Sequence, residues 1–144
     1  MHLHASCAAR LGPDGYDAIL ILGPPGAGKS DFVLRLVHNG FTLVADDQVL
    51  VEDGIASPPE ALAGLLEVRS LGIFRLPFTP SARLRLVIRL GIQPIRLPEP
   101  ETYPELGLPL VTIDPAAPSA PARAALALEA ACGRAAQLAG AFEA

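Results

Sequence analysis

The sequence has few of the features expected of a secreted protein, of a protein stabilised by a metal ion or of a membrane protein. It has no tryptophan and two cysteines, and aromatic residues make up 5% of its 144 positions. Cys7 and Cys132 show neither metal-ligand spacing nor a disulfide framework, so we expect two reduced thiols. No apolar run approaches the roughly 18–20 residues of a membrane span, and the N-terminus lacks the charged-then-apolar order of a secretion signal. We therefore expect a cytoplasmic protein that does not bind membranes.

Charge and composition narrow the possible functions further. The net charge of −4 argues against a nucleic-acid partner. A balance of 51% hydrophobic and 18% charged residues is typical of a folded globular chain rather than a disordered one. We expect residues 1–144 to form a single domain.

Lysine is the scarcest charged residue, because Lys29 is the only one in the chain, beside ten arginines. It lies in the segment Gly23-Pro24-Pro25-Gly26-Ala27-Gly28-Lys29-Ser30, which matches the phosphate-loop pattern G-x-x-x-x-G-K-[ST] throughout. The planar guanidinium of arginine cannot replace the compact ammonium that such a loop uses. The sequence therefore predicts a nucleoside triphosphate site formed by all eight residues.

The surroundings of this segment support the same interpretation. Residues 18–22 form an uninterrupted apolar run, which is typical of a strand buried on both faces. Apolar residues then recur at helical spacing after the loop, and Gly40 is a suitable stop for that helix. Backbone N–H groups of such a loop surround the phosphates, Lys29 reaches the outer phosphates, and the Ser30 hydroxyl is placed for Mg²⁺.

Two adjacent carboxylates follow the next predicted strand, over residues 41–47. Asp46 and Asp47 lie at its C-terminal end, where open α/β sheets bind ligands. Neighbouring side chains of a strand point to opposite faces, so at most one of the two can face the nucleotide unless the chain turns there. One interpretation is a base or a Mg²⁺ partner near the γ-phosphate, and the alternative is that both cap the strand end in solvent.

The rest of the chain yields mostly structural predictions. Asp53-Gly54 predicts a tight hairpin turn, and residues 83–90 alternate as a strand with its arginines outward on a solvated face. In the apolar stretch 65–74, Glu67 and Arg69 share strand parity and could form a salt bridge. Residues 91–109 are rich in proline and acid and predict a surface excursion, residues 110–113 a short strand, and the alanine-rich stretch from Pro121 a helix.

Taken in order, these segments resemble the C-terminal catalytic domain of bacterial HPr kinase/phosphorylase, in the short form found in alphaproteobacteria. The phosphate loop is shared by many families. Two other segments are much more specific, Leu43-Val44-Ala45-Asp46-Asp47-Gln48-Val49 and Leu66-Glu67-Val68-Arg69-Ser70-Leu71-Gly72-Ile73. The resemblance implies an α/β, P-loop nucleotide-binding domain with a central β-sheet, the phosphate-loop helix and a C-terminal helix.

The resemblance also implies an activity, which is transfer of phosphate from ATP to a serine of HPr or of a related phosphocarrier protein. Asp47 matches the family's catalytic aspartate, which accepts the proton of the attacking hydroxyl, and Lys29 neutralises charge on the transferred group. Ser30 and Glu67 match the residues that hold Mg²⁺. His4 matches the catalytic histidine, with His2 as a rival. Arg123 is the match to the catalytic arginine, or else an ordinary arginine at a helix start.

Several functional alternatives stay open at this point. The family continues beyond the stretch that matches Ala144, into segments tied to the reverse reaction, so kinase activity is a safer expectation than phosphorylase activity. A small-molecule P-loop kinase would use the same loop, although the proline-rich stretch after Gly91 makes a poor arginine-bearing lid. A regulatory nucleotide-binding module without transfer activity is the third candidate. The resemblance implies a homo-oligomer, since the family forms hexamers.

Overall fold

The structure is a computed structural model that describes residues 1–142. Over this range nine strands form one mixed sheet, two strands form a separate hairpin, and two α-helices are present. The large sheet contains β1 (His2–Leu3), β2 (Ser6–Gly12), β3 (Gly15–Leu22), β4 (Thr42–Ala45), β5 (Val49–Glu52), β6 (Ile55–Ser57), β9 (Ala82–Leu90), β10 (Thr102–Tyr103) and β11 (Leu108–Ile113). The separate hairpin contains β7 (Leu65–Val68) and β8 (Gly72–Arg75), and the helices are α1 (Lys29–His38) and α2 (Ala120–Ala131).

Strand β3 lies at the centre of the sheet, because its residues 18–22 are apolar throughout and suit burial on both faces. It pairs antiparallel with β2 and parallel with β9, in the order β1-β5-β6-β9-β3-β2-β4. Strand β11 runs parallel to the second half of β9, and β10 pairs with β11. Ile19 and Ile21 belong to one hydrophobic cluster, and Ala18 and Leu20 belong to the other. The prediction of a buried strand before the loop is confirmed.

Both helices contribute to the same hydrophobic cluster of the core. Phe32, Val33 and Leu36 form the buried side of α1, and Ala124 and Leu128 belong to the buried side of α2. Helix α1 ends where the sequence predicts, since Gly40 has a φ of 93° that glycine adopts readily. Within the described residues, no helix has the length and apolar character needed to cross a membrane.

The predicted Asp53-Gly54 turn is present in the structure, and the possible Glu67–Arg69 salt bridge is not. Asp53 and Gly54 have φ angles of 52° and 76°, which are typical of the tight turn predicted between β5 and β6. The stretch 65–74 folds as the β7–β8 hairpin, with Leu66 buried in the core cluster. No ion pair joins Glu67 to Arg69 anywhere in the described chain, so the structure does not contain that salt bridge. Glu67 and Arg69 are both exposed.

The expectation of a solvated arginine face on β9 holds for Arg83 and is wrong for Arg85. The Arg85 Nε donates a hydrogen bond of 2.9 Å to Oδ1 of Asp17, whose side chain is 7% exposed. Asp17 lies on β3 and Arg85 on the neighbouring strand β9, which the sequence alone could not show. A second arginine, Arg134, contacts the other oxygen of Asp17 at 2.9 Å. This buried carboxylate therefore holds two guanidinium groups at one edge of the core.

Candidate active site

The phosphate loop connects the C-terminal end of β3 to the first residue of α1, which is Lys29. Gly26 and Gly28 have φ angles of 84° and 94°, a region that residues with a Cβ adopt at a cost. The Ala27 N–H donates a 3.0 Å hydrogen bond to the Pro24 carbonyl and closes a turn in the loop. The predicted order of strand, glycine-rich loop and helix is thus present, and the first N–H groups of α1 have no partner within the helix. Such groups suit an anion.

The side chain of Lys29 folds back on the loop. Its Nζ donates hydrogen bonds to the carbonyl oxygens of Gly23 at 2.7 Å and Pro24 at 3.3 Å. Two neutral acceptors therefore hold the ammonium, and phosphate oxygens carry more charge than either. An anion bound in the loop would compete with these two carbonyls for the Lys29 ammonium.

Asp46 connects the loop helix to the sheet. It follows β4, is 8% exposed, and accepts hydrogen bonds from the Ser30 Oγ at 2.8 Å to Oδ1 and 2.9 Å to Oδ2. The Ser6 Oγ donates a further bond of 2.8 Å to Oδ1. A serine hydroxyl has one proton and two lone pairs, so Ser30 keeps its lone pairs for a cation while its proton points at Asp46.

Asp47 reaches the same region because the chain turns at this residue. Its φ is 68°, which is uncommon for a residue with a side chain. The Asp47 carbonyl accepts a 3.2 Å bond from the Ala5 N–H, and the Asp47 N–H donates a 3.3 Å bond to the Ser6 Oγ. The strand pattern allowed both aspartates to reach one region only if the chain turns there, and it does. Asp46 faces Ser30, while the exposed Asp47 lines the adjoining cavity.

An open cavity of about 900 Å³ lies between the phosphate loop, the start of α1 and the β7–β8 hairpin. Its size is within the range of ligand clefts, roughly 300–1,000 Å³. Lys29, Ser30, Asp47 and Glu67 all line it, and Arg69 does so from the hairpin turn. The structure therefore brings together four of the residues that the sequence predicts for phosphate transfer.

The oxygen atoms around this cavity fit a hard divalent cation such as Mg²⁺. The Ser30 hydroxyl and the carboxylates of Asp47 and Glu67 are ligands of the kind that Mg²⁺ prefers. Among residues 1–142 no group of three or more His, Cys, Asp or Glu side chains could hold a metal ion alone.

The predicted histidines and arginine lie outside the cavity lining. His4 is exposed at the bend between β1 and β2, and the His2 Nε2 lies 2.8 Å from the Oε1 of Gln48. Arg123 is exposed in the first turn of α2, where its Nε donates a 2.7 Å bond to the Ser119 Oγ. Catalytic roles for His4 and Arg123 stay predictions.

Sequence reasoning missed Ser6 and did not separate the roles of Asp46 and Asp47. Asp46 was one of two candidates at the strand end, and its contact with Ser30 separates it from Asp47. Ser6 is completely buried at the start of β2 and contacts both aspartates. The only signal for Ser6 was a polar residue directly before the apolar run of residues 7–9. Cys7, the next residue, belongs to the hydrophobic cluster that also contains Ala18 and Leu20. Burial raises the pKa of its thiol above the ordinary range, so the thiol stays protonated.

Comparisons with known proteins identify the family of this chain. Residues 16–91 match the family described as HPr Serine kinase C-terminal domain. An HPr kinase/phosphorylase from Geobacillus thermodenitrificans is 42% identical over 103 residues, which are 62% of this chain and 32% of that protein. An HPr kinase/phosphorylase from Clostridium tetani is 46% identical over 63 residues, covering 41% of this chain and 21% of that protein. The chain thus spans about a third or less of the curated relatives it matches.

A solved structure supports the fold. The Hpr(Ser) kinase/phosphatase from Coxiella burnetii superposes with a TM-score of 0.62 over 79% of both chains, at 21% sequence identity. At that identity the likeness concerns the backbone arrangement. It confirms the predicted α/β fold, with a central sheet, a helix after the loop and a C-terminal helix.

Proposed function

Because this chain belongs to the family of HPr serine kinase C-terminal domains, we propose that it is an ATP- and Mg²⁺-dependent protein-serine kinase. Its acceptor in this proposal is a serine of HPr or of a related phosphocarrier of the phosphotransferase system. The names of the curated relatives support this acceptor, since they are HPr kinase/phosphorylases. The fold likeness adds no information about the acceptor.

One observation carries the proposal. Ser30 of the loop is hydrogen-bonded to Asp46, while Asp47, the next residue, lines the cavity that Lys29 and Ser30 also line. Phosphoryl transfer depends on positioning and charge stabilisation more than on covalent chemistry. A carboxylate, an ammonium and a hydroxyl around one cavity supply both requirements.

Asp47 is the general base in this proposal. As the serine oxygen forms its bond to the γ-phosphorus, the Asp47 carboxylate accepts the hydroxyl proton, and the bond from the γ-phosphorus to the bridging oxygen breaks. The products are phosphoserine and ADP, and Asp47 later returns its proton to solvent. Lys29 and the N–H groups at the start of α1 stabilise the negative charge on the transferred group.

Ser30 and Glu67 are the residues we propose for holding Mg²⁺, which when bound neutralises charge on the phosphate oxygens. Asp46 acts through Ser30, because it fixes the direction of the Ser30 hydroxyl. In this proposal the transfer step uses only side chains that line the cavity, which are those of Lys29, Ser30, Asp47 and Glu67. Roles for His4 and Arg123, a hexameric assembly and the phosphorolysis of phosphoserine are further proposals, which rest on family membership alone.

The test is transfer of labelled phosphate from ATP to purified HPr-type carriers in the presence of Mg²⁺. We expect acid-stable label on a carrier serine, and we expect Lys29→Ala to abolish it. Arg96→Ala is the matched control, because Arg96 is an exposed cation on the surface segment after β9. Nucleotide binding without transfer to any carrier would contradict the kinase proposal and favour a regulatory nucleotide-binding module.

A further inference from the structure

Ser6 is buried beneath the candidate active site and contacts both aspartates. Its Oγ donates a 2.8 Å hydrogen bond to Oδ1 of Asp46 and accepts a 3.3 Å bond from the Asp47 N–H. The residue has no exposed surface, although it lies at the base of the cavity. The Ser6 hydroxyl thus donates a hydrogen bond to Asp46 and accepts one from Asp47.

The first of these contacts affects the orientation of Asp46. The Asp46 carboxylate has two donors among the described residues, Ser6 on β2 and Ser30 on α1. Two donors from different elements define the plane of a carboxylate better than one donor does. The Ser30 hydroxyl takes its direction from that carboxylate, so the orientation of a proposed Mg²⁺ ligand depends on Ser6.

The second contact affects the backbone of Asp47. A left-handed conformation costs a residue with a Cβ free energy, and surrounding contacts must compensate that cost. Strand β2 and the residue before it supply two such contacts, from the Ser6 Oγ to the Asp47 N–H and from the Ala5 N–H to the Asp47 carbonyl. These contacts direct the Asp47 side chain into the cavity.

We infer that Ser6 is a positioning residue for phosphoryl transfer, which aligns Asp46 with Ser30 and holds Asp47 at the cavity. The role of Ser6 in phosphoryl transfer rests on the proposed kinase function. The geometric part concerns this chain alone and can be measured without any acceptor protein.

The test compares Ser6→Ala with Cys7→Ala, a matched control. Both changes remove one buried heavy atom from β2, but Cys7 lies in the cluster on the opposite face of the strand, away from the aspartates. Ser6→Thr keeps the hydroxyl on a residue type that suits a strand and should restore the wild-type behaviour. Thermal unfolding of each variant establishes that it is folded.

Amide hydrogen exchange gives the first measurement. We expect exchange of the Asp47 N–H to become at least about tenfold faster in Ser6→Ala and to stay unchanged in Cys7→Ala, because Ser6 Oγ is the acceptor that protects it. Equal exchange in the wild type and in Ser6→Ala would overturn the inference.

The binding of a non-hydrolysable ATP analogue, titrated with Mg²⁺, gives the second measurement. In Ser6→Ala we expect the Mg²⁺ concentration for half-maximal tightening to rise about tenfold, since loss of a group that orients a metal ligand costs about 10–100-fold in metal affinity. Binding without Mg²⁺ should change little. A uniform loss in both conditions, or the same loss in Cys7→Ala, would show a merely structural role. Because no phosphocarrier is needed, failure to find an acceptor would count against the proposed function and not against this inference.

Discussion

The carboxylate of Asp17 and the guanidinium of Arg134 form a 2.9 Å ion pair between residues that are 117 positions apart in the chain. Arg85 contacts the other oxygen of Asp17, and the Nε of Arg134 also contacts Glu129 at 2.6 Å. The pKa of Arg134 is raised by its hydrogen bonds to Glu129 and Asp17. The segment after α2 is therefore attached to the central strands of the sheet through one buried carboxylate.

Removing that carboxylate should lower stability. Asp17→Ala takes an acceptor from two arginines whose side chains are 38% and 33% exposed and can regain water. We expect a loss of about 2 kcal/mol in the free energy of unfolding, measured by urea denaturation. Glu129→Ala is the control, since it removes only the half-exposed partner of Arg134, and it should cost clearly less. An equal loss in both variants would contradict a special role for the buried group.

The two aspartates after β4 should separate binding from transfer. Asp47→Asn keeps a side chain that tolerates a positive φ but cannot take a proton, so we expect nucleotide binding to persist and transfer to fall by about 10²–10⁴. Asp46→Asn should instead weaken Mg²⁺-dependent nucleotide binding, because Asp46 holds Ser30. Steady-state kinetics and calorimetric titration of both variants check this. The reverse pattern would assign the base to Asp46.

Stability should fall in alkaline solution partly because of Cys7. Burial raises the pKa of this thiol, so the folded protein keeps a proton that the unfolded chain releases above about pH 8.5. The unfolded state then binds fewer protons, and the contribution of Cys7 to stability declines by about 1.4 kcal/mol per pH unit above that point. Below it the contribution is fully present.

The measurement is urea unfolding from pH 7 to pH 10 for the wild type and for Cys7→Ala. Both proteins retain Cys132 and the tyrosines, so these groups cancel in the difference. We expect the difference in stability between the two proteins to shrink as the pH rises. A constant difference would show that the Cys7 thiol ionises equally in the folded and unfolded protein.

Gly64 controls the start of the β7–β8 hairpin and should not tolerate a side chain. Its φ is 76°, and an added Cβ would lie 3.0 Å from the Phe78 ring and 3.2 Å from the Leu76 carbonyl oxygen. Gly107 has a φ of 64° with open space around it, so Gly107→Ala measures the backbone cost alone. We expect about 1 kcal/mol for Gly107→Ala and about twice that for Gly64→Ala. Differential scanning calorimetry of the two variants gives both values.

The sequence predicts the elements that depend on local pattern. The apolar run of β3, the glycine-rich loop, the helical spacing of α1 and the Asp53-Gly54 turn each carry their own signal, and the structure has all four. The strand order was not predictable, because β3 pairs with β9, more than sixty positions later. Such pairing depends on packing between distant segments rather than on any local signal.

The same distinction applies to the candidate site. Lys29 and Ser30 belong to one motif, so their shared position follows from the sequence. Ser6 reaches the aspartates only because β2 pairs with β4 and places its first residue beside the end of that strand. Arg85 was expected in solvent, since the strand pattern gives the face of a side chain but not the presence of Asp17 on the neighbouring strand.

The single lysine has a practical consequence for studying this protein. Reductive methylation with an isotope-labelled reagent modifies primary amines, and this chain offers two: the N-terminus, hydrogen-bonded to Val51, and the Lys29 ammonium on the Gly23 and Pro24 carbonyls. The resulting spectrum should hold one reporter signal beside that of the N-terminus. That reporter lies on the phosphate loop, so each titrated nucleotide can be followed at one side chain without introducing a mutation.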